Sequence, residues 1–168
     1  MNYESSIYWI EGPWKGRLAI VPRPRGGDWL DDEAAAWKQQ GVNTIVSTLM
    51  DDEIEDFDLH REGAASEKQG LEFVAYPIPD RGVPASMKAA SALLADLEKK
   101  LSDGKNVVIH CRQGIGRSAV LSVSLLILAG LDVDTAARGG GARSVPETQE
   151  QRDWLLRFAR EALSGTKA

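Results

Sequence analysis

The chain has 168 residues, of which 43% are hydrophobic and 27% charged, and its net charge is −5. This length fits a single domain with a substantial core, since domains cluster near ~100–150 residues. The acidic balance argues against nucleic acid or an anionic membrane as partner, and no apolar run approaches the ~20 residues that span a bilayer. The first residues lack the order of a signal peptide, and the single cysteine leaves no internal disulfide, so a cytoplasmic protein is expected.

Strands and helices alternate in the first half of the chain. The pattern predicts, in order, a β-hairpin from 7–10 and 17–21, a helix ending near 40, a strand over 42–49, a helical stretch over 59–69 and a strand over 71–76. Asp31 or Asp32 is expected to cap the first helix, and Gly41 to end it. The acidic segment 51–58 is expected to be exposed. Pro77 and Pro79 halt the last of these strands.

The second half continues the alternation. It predicts an amphipathic helix over about 86–101, a strand over 106–110, a helix over 117–129, a short helix capped by Asp132 and a last helix over about 147–163. The helix 117–129 is apolar almost all round and is expected to be buried. The glycines at 139–141 should weaken the short helix. The alternation predicts an α/β domain with a largely parallel central sheet flanked by helices, after an N-terminal hairpin.

The strand 106–110 leads into a loop that combines an anion site with a nucleophile. Gly114 and Gly116 allow the backbone to curl and direct successive N–H groups inward, and the helix that follows adds its positive end. Such a ring suits a tetrahedral oxyanion, over which Arg117 can close with a bidentate fork. The same field lowers the pKa of a thiol at this position, so Cys111 is expected to be a thiolate placed for in-line attack.

Two groups leave during such a reaction, the substrate oxygen and later the sulfur, and each needs a side chain that donates a proton or a hydrogen bond to it. Ser118 can donate a hydrogen bond to the sulfur, which helps it to leave in a second step. His110 is expected to form a hydrogen bond within the loop rather than to act as a base. Asp80 lies about 30 residues before Cys111 on a Pro/Gly-hinged loop after a strand, where it can protonate a leaving group and afterwards deprotonate water. Asp80 could otherwise be only a turn former after proline.

The segment 110–118 matches the His-Cys-x-x-Gly-x-x-Arg-Ser/Thr motif, and the chain resembles cysteine-based protein tyrosine phosphatases of the small dual-specificity type over about residues 17–163. The resemblance implies that fold for one domain spanning 1–168, without metal or cofactor. It also implies that Cys111 is the nucleophile and that Arg117 clamps the phosphate. Asp80 is implied as the general acid/base, and Ser118 as the stabiliser of the leaving group. The remaining phosphate-binding positions are Arg112, Gln113, Gly114, Ile115 and Gly116.

The resemblance also places a water-positioning glutamine in the segment 146–151. Gln151 fits this role best by its distance into the helix, and Gln149 is second; Glu147 stands where some relatives have another amide. Gln151 as an ordinary exposed helix residue is the competing interpretation. Arg25 and Arg81 are expected either near the substrate phosphate or in solvent, and His60 in solvent.

Several functions fit these residues, and the first is hydrolysis of phosphotyrosine, with phosphoserine or phosphothreonine also possible, in a phosphorylated protein or peptide. The same mechanism could act on a phosphoinositide, a nucleotide or an RNA 5′-phosphate, although the loop lacks the lysines common in lipid phosphatases. Sulfur transfer would not require Asp80 or the Arg117-Ser118 pair. A catalytically dead phosphate-binding module would be expected to have lost Cys111, Arg117 or Asp80, and this chain keeps all three. The oligomeric state stays open.

Overall fold

The computed structural model describes residues 7, 9–10, 12–113, 116–139 and 145–165. It is an α/β fold, and both its largely parallel sheet and its N-terminal hairpin agree with the prediction. The strands are β1 (Trp9–Ile10), β2 (Leu18–Val21), β3 (Thr44–Ser47), β4 (Glu72–Ala75) and β5 (Val107–His110). The helices are α1 (Leu30–Gln39), α2 (Asp51–Asp56), α3 (Glu62–Lys68), α4 (Met87–Ser102), α5 (Gly116–Leu128), α6 (Val133–Gly139) and α7 (Gln149–Gly165), and a 3-10 turn precedes α1.

The five strands form one sheet in the order β1-β2-β5-β3-β4. Within the described residues, only the β1–β2 pair is antiparallel, while β5 runs parallel to both of its neighbours. Ser47 and Val21 both lie opposite His110, so these three strands end at the same level. The loops that follow the parallel strands therefore gather at one edge of the sheet, where ligand sites of such folds form.

Helices cover both faces of the sheet. One face packs its apolar residues against α4, α5 and α7, and α5 is buried along nearly its whole length, as its apolar composition predicts. The other face packs on Trp37 of α1 and on Leu71, which precedes β4. Leu30, Ala34 and Trp37 are the buried stripe of α1, at spacings of four and three residues. The nucleophile's strand thus lies at the centre of a three-layer core.

The strand predicted over 42–49 is present but shorter, spanning Thr44–Ser47. Two local predictions were wrong. Neither Asp31 nor Asp32 caps α1, because a 3-10 turn leads into the helix and both residues lie in its first turn. The acidic segment 51–58 is not exposed throughout, since Glu53 is buried in α2.

Other boundaries agree closely with the sequence. Gly41, Gly70, Gly104 and Gly130 follow helices with positive φ, which is the backbone conformation that glycine adopts at least cost. Asp132 caps α6, because its carboxylate accepts the Thr135 N–H at 2.8 Å. Of the three glycines at 139–141, only Gly139 lies within the described residues, at the end of α6.

Candidate active site

Cys111 follows β5 directly, and its side chain is only 4% exposed. The end of this strand is fixed from the neighbouring strand, since both the N–H and the hydroxyl of Thr48 donate to the His110 carbonyl, each at 3.0 Å. The sulfur therefore starts from a rigid, central position at the carboxyl edge of the sheet. Gly114 and Ile115, two of the predicted phosphate-binding residues, lie outside the described residues.

A pocket of about 170 Å³ opens above Cys111. It is lined by the following residues from the cysteine loop, the loop after β4 and the start of α7: Asp80, Arg81, Cys111, Arg112, Gln113, Gly116, Arg117 and Glu147. The structure therefore brings together the predicted nucleophile, the predicted clamp and the predicted acid. A larger cleft of about 330 Å³ at the amino ends of the strands is lined largely by lysines and carboxylates and contains none of these three.

Arg117 is buried and held by a carboxylate that the sequence analysis did not single out. Its Nη1 and Nη2 donate to Glu53 Oε1 and Oε2 at 2.6 and 2.8 Å, and Nη1 also donates to the Ile78 carbonyl at 3.0 Å. These bonds use three of the five N–H donors of a guanidinium. Among the described residues, Nε and one hydrogen of Nη2 remain for a ligand, and together they form a side-on fork suited to phosphate.

The Arg117–Glu53 pair shifts both pKa values towards the charged forms. The bond from Arg117, opposed by burial and helped by the Met50 N–H, lowers the pKa of Glu53. Burial alone would lower the pKa of Arg117, but the bonds to Glu53 and the negative charges of Cys111 and Asp80 raise it. Both groups are thus ionised at neutral pH, with the guanidinium beside the sulfur.

Asp80 reaches the same pocket from the acid loop, residues 77–84, which follows β4. Its Oδ1 lies 3.6 Å from Nη2 of Arg117, and 59% of its side chain is exposed. The next residue, Arg81, has a φ of 61°, a left-handed conformation that is uncommon for a residue with a Cβ. The acid loop therefore turns sharply just after Asp80, which leaves that carboxylate at the mouth of the pocket.

Gln151 connects the acid loop to the start of α7. Its Nε2 donates to the Gly82 carbonyl at 3.0 Å, and its Oε1 accepts the N–H groups of Glu147 and Thr148 at 2.7 and 3.3 Å. Gln151 is buried, so it is not an ordinary exposed helix residue. Main-chain groups thus occupy both ends of its amide. Gln149 is exposed, bonds to Asp153 within α7 and does not line the pocket.

Ser118 and His110 lie beneath the cysteine loop. Ser118 is fully buried, and within the described ranges its hydroxyl has no hydrogen-bond partner, so it is free for the expected bond to sulfur. The hydrogen bond expected for His110 within the loop is not found among the described residues. Its Nε2 instead lies 2.5 Å from Oε1 of Glu62 in α3, with both side chains buried. The ring also stacks on Trp37.

Two arginines and a phenylalanine form one wall beside the pocket. Arg23 donates to the Arg112 carbonyl at 2.8 Å, and both guanidinium groups lie over the ring of Phe57, at 3.6 and 5.3 Å from its centroid. These contacts hold the first residues of the cysteine loop in place from one side. Arg25 instead pairs with Glu33 and stacks on Trp29. Arg81 lines the pocket. His60 is exposed, as expected.

The family model described as Tc-R-P, a polymorphic toxin system, DSP-PTPase phosphatase, matches residues 21–131. This match covers more than half of the chain and includes the cysteine loop and the acid loop. The chain belongs to this phosphatase family.

Known proteins of the same superfamily resemble it. Protein tyrosine phosphatase type IVA 3 of Bos taurus is 31% identical over 101 residues, which are 59% of this chain and 53% of that protein, so the chain spans about half the length of this curated relative. The structure of Tk-PTP in its active form is 28% identical with a TM-score of 0.74, over 93% and 97% of the two chains. A kinase associated phosphatase with its catalytic cysteine replaced by serine shares the fold, with a TM-score of 0.84 at 18% identity over 98% and 99%.

Three residues of this phosphatase's site were missed from the sequence: Arg23, Glu53 and Glu62. Glu147 was noted only as standing where some relatives have another amide, and the structure places it in the lining of the pocket. Glu53 and Glu62 were assigned to segments described only as acidic or helical. One signal could have indicated Glu53: the segment that forms α2 follows a parallel strand directly, and ligand sites form at the carboxyl ends of such strands. Arg23 carried no signal beyond its place after β2.

Among the residues that the structure describes, no three His, Cys, Asp or Glu side chains come together in a group that could hold a metal ion. In the same ranges, none of the helices has both the length and the apolar character needed to cross a bilayer.

Proposed function

We propose that this chain is a protein phosphatase that hydrolyses phosphomonoesters through a phosphocysteine intermediate on Cys111. One observation carries the proposal: Cys111 and Arg117 from the cysteine loop and Asp80 from the acid loop line a single pocket of about 170 Å³. A nucleophile, a fixed cation and an exposed carboxylate are the three groups that transfer of a phosphoryl group to sulfur requires.

In the first step, phosphate oxygens bind the N–H groups of the cysteine loop, formed by residues 111–116, and the free edge of Arg117. The thiolate of Cys111 attacks phosphorus in line while the bond to the leaving oxygen breaks. Asp80 gives its proton to that oxygen. Glu53 contributes by holding the guanidinium, so that its remaining donors need no reorganisation during the reaction.

In the second step, water attacks the phosphocysteine and the electron pair of the P–S bond returns to sulfur. The buried hydroxyl of Ser118, without a partner in the described part of the chain, donates to the departing thiolate. The resemblance gives the role of base to Asp80, which is ionised once it has released its proton.

The charges around the pocket support a phosphorylated protein over a polyanionic head group. Arg81 and Arg112 are balanced by Asp80 and Glu147 among the lining residues. A ligand with several phosphates would bring its extra charges close to two carboxylates, whereas a single phosphomonoester needs only the loop and Arg117. Phosphotyrosine, phosphoserine and phosphothreonine all present that group.

The test is turnover of p-nitrophenyl phosphate by the wild type and by Cys111→Ser, followed by phosphotyrosyl and phosphothreonyl peptides. We expect turnover that needs no added metal and that the serine variant abolishes, since an alcohol is a much weaker nucleophile than a thiol. Equal activity of the two proteins, or none in the wild type, contradicts the proposal. A phosphoinositide hydrolysed faster than either peptide would overturn the protein substrate alone.

A further inference from the structure

Arg23, Phe57 and Arg112 form an arginine wall beside the phosphate pocket, in which two guanidinium groups share one aromatic ring. The guanidinium carbons of Arg23 and Arg112 lie 3.6 and 5.3 Å from the ring centroid, and Arg23 Nη1 donates to the Arg112 carbonyl at 2.8 Å. Arg112 is exposed and lines the pocket, while Arg23 and Phe57 are half-buried. The two cations are therefore held close to each other and to the bound phosphate.

The positive charges of the arginine wall are not neutralised within the described part of the chain, where neither guanidinium group forms an ion pair. Asp56 and Asp58 flank Phe57 along the chain, but the Asp58 carboxylate lies beside Gly27 instead. A guanidinium stacked on a ring uses its face, so the N–H donors in its plane stay available. Two like charges held together repel each other, and an anion bound to both offsets this cost.

The arginine wall is also set apart from the carboxylates of the pocket. The strand order places Arg23, which follows β2, across β5 from the acid loop, which follows β4. Gln151 keeps Glu147 beside that same loop, because its amide bonds to both the Glu147 N–H and the Gly82 carbonyl. A substrate group that extends from the bound phosphate towards Arg23 therefore leaves the carboxylates behind and approaches two cations.

We propose that the arginine wall binds an acidic side chain, Asp or Glu, close to the phosphorylated residue of a protein substrate, an inference that rests on the proposed function. The carboxylate accepts N–H donors from both guanidinium groups while the phosphate occupies the cysteine loop. Because the wall is open to solvent, this contact selects among peptides rather than dominating their affinity. Arg23 and Arg112 are then specificity-determining residues.

The experiment compares pairs of phosphotyrosyl peptides that carry either Glu or Gln at one position near the phosphotyrosine. At the position that reaches the wall, we expect kcat/KM of the wild type to be ~5-fold higher for the Glu peptide, the size of an exposed ion pair. This preference should weaken as salt is added. In Arg23→Gln, and separately in Arg112→Gln, the ratio of the two kcat/KM values should fall to near one.

The ratio is taken within each variant, so any change that a substitution causes in the shared catalytic steps cancels. Lys105→Gln is the matched control, since it removes one positive charge from an exposed residue at the amino ends of the strands, the opposite edge of the sheet. This control should keep the wild-type preference. Arg23→Lys, which retains the charge, should keep part of it.

Three outcomes overturn the inference. The first is equal kcat/KM for the Glu and Gln peptides at every position, and the second is a preference that survives in both arginine variants or disappears equally in Lys105→Gln. The third is faster hydrolysis of a phosphoinositide in phosphatidylcholine vesicles than of any peptide, with a rate that falls in Arg23→Gln, which would assign the wall to a lipid head group. The first two leave the proposed function intact, which fails instead if the wild type does not hydrolyse p-nitrophenyl phosphate or does so no faster than Cys111→Ser.

Discussion

A buried ion pair between Arg117 and Glu53 controls the geometry of the phosphate site. Taking two charges out of water is costly, and a well-packed apolar pair would often be as stable, so stability alone does not explain the arrangement. The pair instead leaves one defined edge of the guanidinium facing the pocket. Glu53 also accepts the Met50 N–H at 3.1 Å, which ties the pair to the start of α2.

Replacing Glu53 by Gln should lower the free energy of unfolding by about 3 kcal/mol, because a buried guanidinium loses its counter-charge. The amide can donate where the carboxylate only accepted, so the fork of Arg117 should also turn and kcat should fall. Urea denaturation and steady-state kinetics measure the two effects. Glu55→Gln is the matched control, since Glu55 is an exposed residue of the same helix. A Glu53→Gln variant that matches this control would contradict the assignment.

Asp80→Asn tests the proton donor of the first step. The variant should hydrolyse aryl phosphates slowly and should lose the basic limb of a bell-shaped pH–rate profile, because that limb reports loss of the acid's proton. It should show no phosphoenzyme accumulation, since formation of the intermediate becomes limiting. An unchanged basic limb would assign the acid to another residue.

At the scale of elements, the start of α7 acts as a support for the acid loop. Besides the Gln151 bonds, the Thr148 hydroxyl donates to the Arg81 carbonyl at 3.3 Å. Trp154, Leu155 and Phe158 bury the other side of α7 in the main core. The packing of this helix therefore determines where both Asp80 and Glu147 stand relative to Cys111.

Gln151→Leu should separate these elements without changing the pocket's charges. The half-buried Gly82 carbonyl and the Glu147 N–H lose their partner, so the free energy of unfolding should fall by about 1–3 kcal/mol. We expect kcat to fall more than KM changes, because the carboxylates lose position while Arg117 stays paired. Thermal denaturation and kinetics check this result against Gln149→Leu, an exposed position of α7. A stable variant with wild-type kcat would exclude the support role.

At the scale of the whole molecule, one edge of the sheet collects contributions from the ends of four strands. Arg23 follows β2, Glu53 follows β3, Asp80 follows β4 and Cys111 follows β5. The helices cover both faces of the sheet, so the residues of the candidate site gather at this edge. Protonation of one site residue should therefore affect the stability of the entire domain.

The pKa of Glu53 in the folded protein lies below its ordinary value of 4.5, so the unfolded chain binds this proton first as the pH falls. The stabilisation from the ionised pair is therefore complete above about pH 4.5 and is lost as the pH drops through the lower folded-state pKa. Urea denaturation over this acid range should show a steeper loss of stability for the wild type than for Glu53→Gln. Equal slopes would mean that other carboxylates dominate.

The sequence by itself determined the fold class and the residues that lie close together along the chain. Alternating apolar patterns placed the strands and helices, because burial of one face acts through local periodicity. The segment 110–118 brought Cys111, Arg117 and Ser118 into one candidate site, since strand, loop and helix are continuous there. Asp80 followed from the expectation that parallel strands end at a shared edge.

Only the tertiary structure decided the partners of these groups. Glu53 and Arg117 are 64 residues apart, and Glu62 and His110 are 48 apart, so no local pattern specified which carboxylate would be buried against which partner side chain. The sequence also did not decide whether Gln151 is exposed or buried, because that depends on how α7 packs against the rest of the domain. Desolvation and ion pairing depend on the three-dimensional surroundings of each charge, and these arise when the helices close over the sheet.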